Sequence, residues 1–513
     1  MDARTAALDG KPRRDAARRR LCGLTAVLVV AAGMAVLRPA DAAAPSELAL
    51  GTGGNDSGVL GDGSTTERDA PVRTRLPRGV SLVQESGGDA HTLGLTSDGR
   101  VLAWGRNDVG QLGDATSTLR TTPVFTRMPE GVRITQVAAG GDHSLALTSD
   151  GRVLAWGRNT SGQLGDGSST SRITPVFVRL PRGVTVAHVA GGNYHSLALT
   201  SDGRVLAWGD NMFGELGDGS GVGHVIPSFV PLPAGITASA IDAGRNSQSF
   251  AVTPDGRLLA WGRNDLGQLG DGTTKNRTTP VWAGVPTDES VTQIAAGDDH
   301  TLGLTTEGHV LVWGANKSGQ LGPGPADIQK IPIENDMPTG VTFTQVAAGS
   351  SHSLALTSDG RVLAWGANHT GQIGDGAVSM RSSLTFMPLP KAAGPATGVA
   401  ATSDSSLVLA NTRSGSTTSL AAIAGRGGRT RLKAKVTCGA ATTLTGPVTF
   451  LEGATVVGAT DLNAAATATL TPSHLGKGPH RIIARYEGNA VCSRSASPAL
   501  TVILAPRRRG GTS

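Results

Sequence analysis

Six tryptophans fall one near-constant period apart in this 513-residue chain: Trp104, Trp156, Trp208, Trp261, Trp313 and Trp365, at spacings of 52, 52, 53, 52 and 52. A fixed period of this kind marks a repeat architecture, whose units cannot bury their apolar faces alone. Around each Trp runs nearly the same text. HSLALTSDGRVLAWG at residues 195–209 recurs at 91–105, 143–157 and 352–366, with looser copies at 248–262 and 300–314. Apolar residues alternate on both sides of Ser201-Asp202-Gly203-Arg204, which predicts a β-hairpin whose Asp-Gly tip supplies the positive φ angles of a two-residue turn. In the third unit four strands are expected, over residues 175–180, 184–190, 195–200 and 205–209. After each Trp-Gly comes a second glycine-rich element, GQLGD or a variant of it, which reads as tight turns.

The two ends of the array decide its shape. Residues 53–62 (GGNDSGVLGD) match 105–114 (GRNDVGQLGD) and put Thr52 in the Trp slot, so the chain enters at a fourth strand around residues 48–52. Residues 399–410 match 189–200, and the strand that should follow them is missing. The two partial units add up to one, which with the six complete hairpins makes seven. This predicts an all-β, seven-bladed β-propeller closed by the N-terminal strand, with no sheet edge left open at the seam. An open solenoid would instead call for capping repeats with polar outer faces.

The words HSLALTSDGRVLAWGRNxxGQLGDG, followed by a Pro-Val pair and Leu-Pro-x-Gly-Val, resemble the regulator of chromosome condensation repeat. The resemblance covers roughly residues 46–410, and the propeller is placed at 45–410. It implies the same seven-bladed ring. The founding member of that family is a guanine-nucleotide exchange factor that also sits on chromatin, while other members are interaction modules inside larger proteins. In the family, exchange falls to an element protruding from one blade. The spacings here never exceed 53, which leaves no blade room for such a wedge.

Outside the repeats, residues 1–44 run from a basic stretch (KPRRDAARRR) through 17 apolar residues to A-x-A patterns, the order of a cleaved secretory signal. No other stretch is long and apolar enough to span a membrane. The Ser/Thr/Gly-rich segment 411–418 reads as a linker. Residues 419–505 hold seven short strand-like runs and read as an immunoglobulin-like β-sandwich. Its closing stretch, HRIIARYEGNAVCSRSASPALTVIL, is similar to bacterial immunoglobulin-like repeat domains of exported proteins. A basic tail, 506–513, follows. Cys22 would leave with the signal, so Cys438 and Cys492 form an even pair in one small domain, and a disulfide is expected.

The net charge of +6 is unevenly spread: residues 45–416 carry 26 Lys/Arg against 33 Asp/Glu, and 417–513 carry 12 against 3. An acidic propeller has no general attraction for a nucleic acid backbone, so no nucleic acid partner is expected. His91, His143, His195, His300 and His352 share one slot, with Gln248 and Ser405 in the other two units. Equivalent slots lie around a ring, too far apart for one metal ion, so these histidines are expected to hydrogen-bond backbone within each blade. The Asp of the Gly-Asp-Gly turns lacks the acidic spacing of a calcium loop. No phosphate loop, nucleophile elbow or paired carboxylates stand out, so neither a catalytic residue, a cofactor nor a metal is expected. A propeller hydrolase or lyase would need clustered carboxylates or histidines in the central channel.

Recognition is sought where the text departs from the repeat: residues 212–226, 282–290 and 324–338. Trp282, the one Trp outside the repeat slot, and Met212 with Phe213 are the candidates. The expected protein is an exported, monomeric, non-enzymatic binder of a protein or cell-envelope polymer, and the alternative is a regulator of a small GTPase.

Overall fold

The computed structural model describes residues 47–504, apart from 325, 336, 339, 414, 425–429, 439–443, 473–474, 476–477 and 490–491. The expected signal 1–44 and basic tail 506–513 lie outside the described residues. The described chain is all β, with seven four-stranded antiparallel sheets followed by a two-sheet unit. In the third blade the order is Val186–Gly191, His195–Thr200, Val205–Gly209 and His224–Phe229.

Local chemistry explains these strands. The two middle ones are buried along their whole length, because blades pack on both of their faces. The hairpin between them is one residue longer than the two-residue turn expected. Gly203 N–H donates to Thr200 O at 3.0 Å, and Gly203 alone has positive φ, 82°. This is a three-residue loop, a turn followed by a left-handed glycine, and Asp202 takes no strained conformation. Asp202 instead accepts from the Thr200 hydroxyl and pairs with Arg204 at 2.7 Å.

Two boundaries differ from the sequence reading. The strand expected at 175–180 to open the third unit is Arg172–Phe177, and it pairs with Val153–Gly157 as the outermost strand of the second blade. Periodic text carries a period but no phase, so where a blade begins has to come from pairing. The same shift applies at the seam. Glu47–Gly53 pairs with Ser405–Thr412 from Glu47↔Asn411 to Gly53↔Ser405, and Arg68–Arg73 adds outside it. Two N-terminal strands complete the seventh blade, and the chain enters it at the third strand position. Ala49 and Leu409 of that blade pack with Leu82, Leu102 and Trp104 of the first, which carries the core across the seam.

The interfaces between blades are built alike. Val153, Leu164 and Val178 of the second blade pack with Val189, Leu206 and Trp208 of the third. Each Trp indole N–H reaches back to the glycine-rich loop of the preceding blade, as Trp208 does to Gln163 O at 2.8 Å and Trp104 to Val59 O at 2.7 Å. The glycine of that loop is required: a Cβ on Gly217 (φ 67°) would lie 2.9 Å from the Trp261 indole.

After the ring, the strand Ser405–Thr412 and the next, Ser416–Ala424, leave residues 413–415 between them, shorter than the linker expected over 411–418. Ser416–Ala424, Thr430–Cys438 and Thr467–Leu470 form one sheet. The other holds Pro447–Glu452, Thr455–Asp461, Gly478–Tyr486, Leu500–Leu504 and a two-residue strand, Ser495–Ala496, that the sequence did not announce. Leu432, Val436, Phe450, Ile482 and Tyr486 fill the space between the sheets. The bridge expected between Cys438 and Cys492 is present, with Cα atoms 6.2 Å apart.

Candidate functional site

The repeated histidines were the first residues to suggest chemistry. They are fully buried, and they join blades instead of bonding backbone within one. Nε2 of His91, His143, His195, His300 and His352 lies 2.9, 2.8, 3.0, 3.0 and 3.1 Å from the hydroxyl of Ser144, Ser196, Ser249, Ser353 and Ser406, each on the next blade. A serine beside an imidazole has the outline of a nucleophile and its base. The proton count removes that reading. Ser144 donates its one hydroxyl proton to Gln111 O at 2.8 Å, and Ser196 donates to Gln163 O at 2.9 Å. The imidazole must therefore donate to the serine, which leaves the hydroxyl unactivated and out of reach of any substrate. Burial pushes these imidazoles down to about 3 (His143, His352) or about 4 (His91, His195, His300), so they stay neutral.

The inner strands line a central cavity of about 180 Å³. Its polar side chains are largely committed to holding the ring. Gln84 Nε2 donates to Val137 O (3.0 Å) while its Oε1 accepts from Val137 N (3.0 Å). Gln136 holds Val189, Gln293 holds Val346 and Gln345 holds Val399 in the same way. Asp242 stands where five of the other blades carry Ala and one carries Ser86. It accepts from Ala296 N at 2.9 Å, and burial pushes its carboxyl up to about 7. The turn after the fourth inner strand has one residue more than its counterparts, with Ser247 at φ 68°. That extra residue carries Arg245 across the channel mouth. Its guanidinium donates to Gly87 O (2.8 Å) and Ala401 O (2.7 Å) and lies 3.3 Å from Asp89. A side chain from the fourth blade thus ties the first and seventh.

The strand directions give the ring two different rims. One carries the turns after the inner strands together with the glycine-rich loops, and is the loop face. The other carries the Asp-Gly hairpins and the connections between blades, and is the hairpin face. Trp282 lies on the hairpin side, 38% exposed, in the slot held by Phe125, Phe177, Phe229 and Phe386. Each of the five rings is covered by the hairpin arginine of its own blade; Arg257 lies 4.3 Å from the Trp282 ring. Trp282 is therefore one member of a repeated Arg–aromatic series.

Met212 and Phe213 lie on the opposite rim, and the structure does not bring Trp282 to them. Met212 is 74% exposed, the most of any large apolar residue described. Its slot holds Asp56, Asp108, Thr160, Asp265, Lys317 or His369 elsewhere. Tyr194 lies in the adjoining turn: Asp210 N donates to Tyr194 O at 2.9 Å and holds the two loops together, as the equivalent backbone bond does in other blades. Where Tyr194 stands, the other blades carry Ala, Ser or Asp. Phe213 lies 5.4 Å from the Arg263 guanidinium of the next blade. The charges on this rim are mostly paired with one another, Arg158 with Asp142 (2.9 Å) and Arg263 with Asp265 (2.7 Å) among them. Tyr194 was missed in the sequence, although lining up the slots before each histidine would have singled it out.

Residues 48–412 match the model of the RCC1-like domain, and residues 412–505 that of a group 3 bacterial Ig-like domain. The chain belongs to the RCC1-like family. Among RCC1-like relatives, it is 32% identical over 351 residues to the ultraviolet-B receptor UVR8 of Arabidopsis thaliana, spanning 68% of this chain and 79% of that protein. It is 35% identical over 281 residues to the human E3 ubiquitin-protein ligase HERC2, a match that takes up 54% of this chain and 6% of HERC2. The crystal structure of Prp20p from Saccharomyces cerevisiae, described with its binding to Gsp1p and histones, superposes with a TM-score of 0.65 at 27% identity. It covers 73% of this chain and 93% of Prp20p. The resemblance read from the repeats is thus shown for the whole ring.

Proposed function

We propose that this protein is an exported, non-enzymatic recognition module that binds a protein partner through the loop face of its third blade. The observation that carries this reading is the corner formed by Tyr194, Met212 and Phe213. Three neighbouring slots that are polar or small in most blades here hold two aromatics and an exposed methionine, on a rim whose charges are mostly paired with one another. Aromatic and methionine side chains supply most of the burial at binding hot spots. The family supports the reading in general terms, since Prp20p is described as binding proteins. Export rests on the basic, apolar and small-residue order of residues 1–44, and the bridged Cys438–Cys492 pair fits an oxidising compartment. A cell-envelope glycan would use the same aromatic surface, and is the competing ligand class.

The test is capture from cell-envelope extract by the full chain and by a Met212→Asp/Phe213→Ser variant, with mass spectrometry of the mature N-terminus alongside. A protein captured by the first and lost by the second supports the reading. Equal capture by both removes the site, and an intact N-terminus on a cytosolic protein removes export.

A further inference from the structure

The fifth blade departs from the others at three places that come together. On the hairpin face of the first, second, third, fourth and sixth blades, a hairpin arginine covers an aromatic ring on the outermost strand. In the fifth blade the arginine slot holds His309 and the aromatic slot holds Glu334. A third slot, in the connection leading into the blade, holds Val80, Val132, Val184, Ile236 and Val341 in those same five blades, and holds Glu289 here. The backbone at this slot is unchanged: Glu289 N donates to Pro286 O at 3.1 Å, as Val184 N does to Pro181 O at 3.2 Å. One ligand atom from each of the three side chains lies within 4.8 Å of the other two.

From this convergence we infer that Glu289, His309 and Glu334 form a binding site for a divalent first-row transition-metal ion on the hairpin face of the fifth blade. His309 Nδ1 lies 2.9 Å from Glu289 Oε1 and 3.9 Å from Glu334 Oε1. One imidazole nitrogen with two carboxylate oxygens is a ligand set that zinc and its neighbours accept, at bond lengths of about 2.0–2.2 Å. Charge favours a cation over a simple ion pair. A protonated His309 between two carboxylates still leaves one negative charge uncompensated, whereas a divalent ion with neutral imidazole leaves none. Burial points the same way. Glu289 occupies an aliphatic slot with its side chain 13% exposed, and its Oε2 is buried without a hydrogen-bond partner among the described residues. Putting a carboxylate there carries a desolvation cost that a bound cation would offset. Glu334 is 60% and His309 45% exposed, so the remaining coordination positions face solvent and are left to water or to a group from a partner.

The experiment titrates the full oxidised chain with Zn2+ by calorimetry and with Co2+ by visible absorption. Three proteins are compared: the unaltered chain, Glu289→Gln, and the double variant His309→Arg/Glu334→Phe. The double variant rebuilds the Arg–aromatic pair of the other blades and so serves as the folded control. Expected are one equivalent of metal in the unaltered chain, a Co2+ ligand-field band, a rise in unfolding temperature with Zn2+, and at least about tenfold weaker binding in both variants. No uptake by the unaltered chain overturns the site, as does uptake that both variants share, which would place the metal on other histidines. A loss of stability in Glu289→Gln with metal binding unaltered would reduce the trio to an ion pair and overturn it as well.

Discussion

The propeller and the sandwich behind it hold short strands together by different means. The sandwich closes two sheets over one core and fastens them with Cys438–Cys492. The propeller has no covalent tie among its described residues and repeats one non-covalent joint around the ring: a histidine, a hydroxyl on the next blade, a loop carbonyl and an indole N–H. A small domain with a limited core gains most from a cross-link. A ring of seven sheets gains instead from having no ends.

That contrast can be broken from either side. Removing residues 47–75 takes two strands from the seventh blade and exposes the edge of Ser405–Thr412. The expected outcome is loss of the cooperative propeller transition in thermal circular dichroism, with the sandwich transition kept; a propeller that melts as before would refute the seam. Trp208→Ala empties a fully buried site and leaves Gln163 O without its indole donor, for a cost of about 3–5 kcal/mol to the propeller alone in urea unfolding. Reducing the disulfide should do the converse, costing the sandwich about 2–5 kcal/mol and leaving the propeller midpoint where it was.

The last test is read in acid, one histidine at a time. The five buried histidines have folded pKa values of about 3 to 4, below the ordinary 6.5, so the unfolded chain binds more protons than the folded one between those limits. The histidines' contribution to propeller stability is therefore complete above pH 6.5 and falls as pH drops toward 4. Glu215 and Asp242, pushed up to about 7 by burial, and Asp298, also raised by burial, act in the opposite sense but number three against five. His195→Gln, which copies the residue the fourth blade carries as Gln248, should flatten the slope of midpoint against pH by about one proton's share. An unchanged slope would mean that His195 does not titrate on unfolding.

The ring was legible because its evidence is periodic: six Trp at near-equal spacing and two partial units that sum to one. What the text could not carry was phase and partnership. Residues 175–180 looked like the start of a blade, because a repeat can be cut anywhere; only the pairing of Arg172–Phe177 with Val153–Gly157 shows where the cut falls. His91 looked tied to its own blade, because its partner Ser144 is 53 residues away in sequence. Trp282 looked singular, because an aromatic slot filled by Phe in four blades is not obvious until strands are superposed. Met212 and Phe213 stood out correctly as departures from the repeat, but Tyr194, Glu289, His309 and Glu334 needed slots compared across blades, one at a time.

The seam also sets an order of events. The Ser405 hydroxyl donates to Gly54 O across a sequence separation of 351. The strand that is synthesised first is thus the last to find its place, since its partner does not exist until nearly the whole ring has been made. Contacts of such sequence separation are slow to form, and until then both edges of the seventh blade stand open to any passing strand. A chain built this way is best kept extended until its last blade is available. Threading through a membrane before folding would do that, and the ring would then close only on the far side.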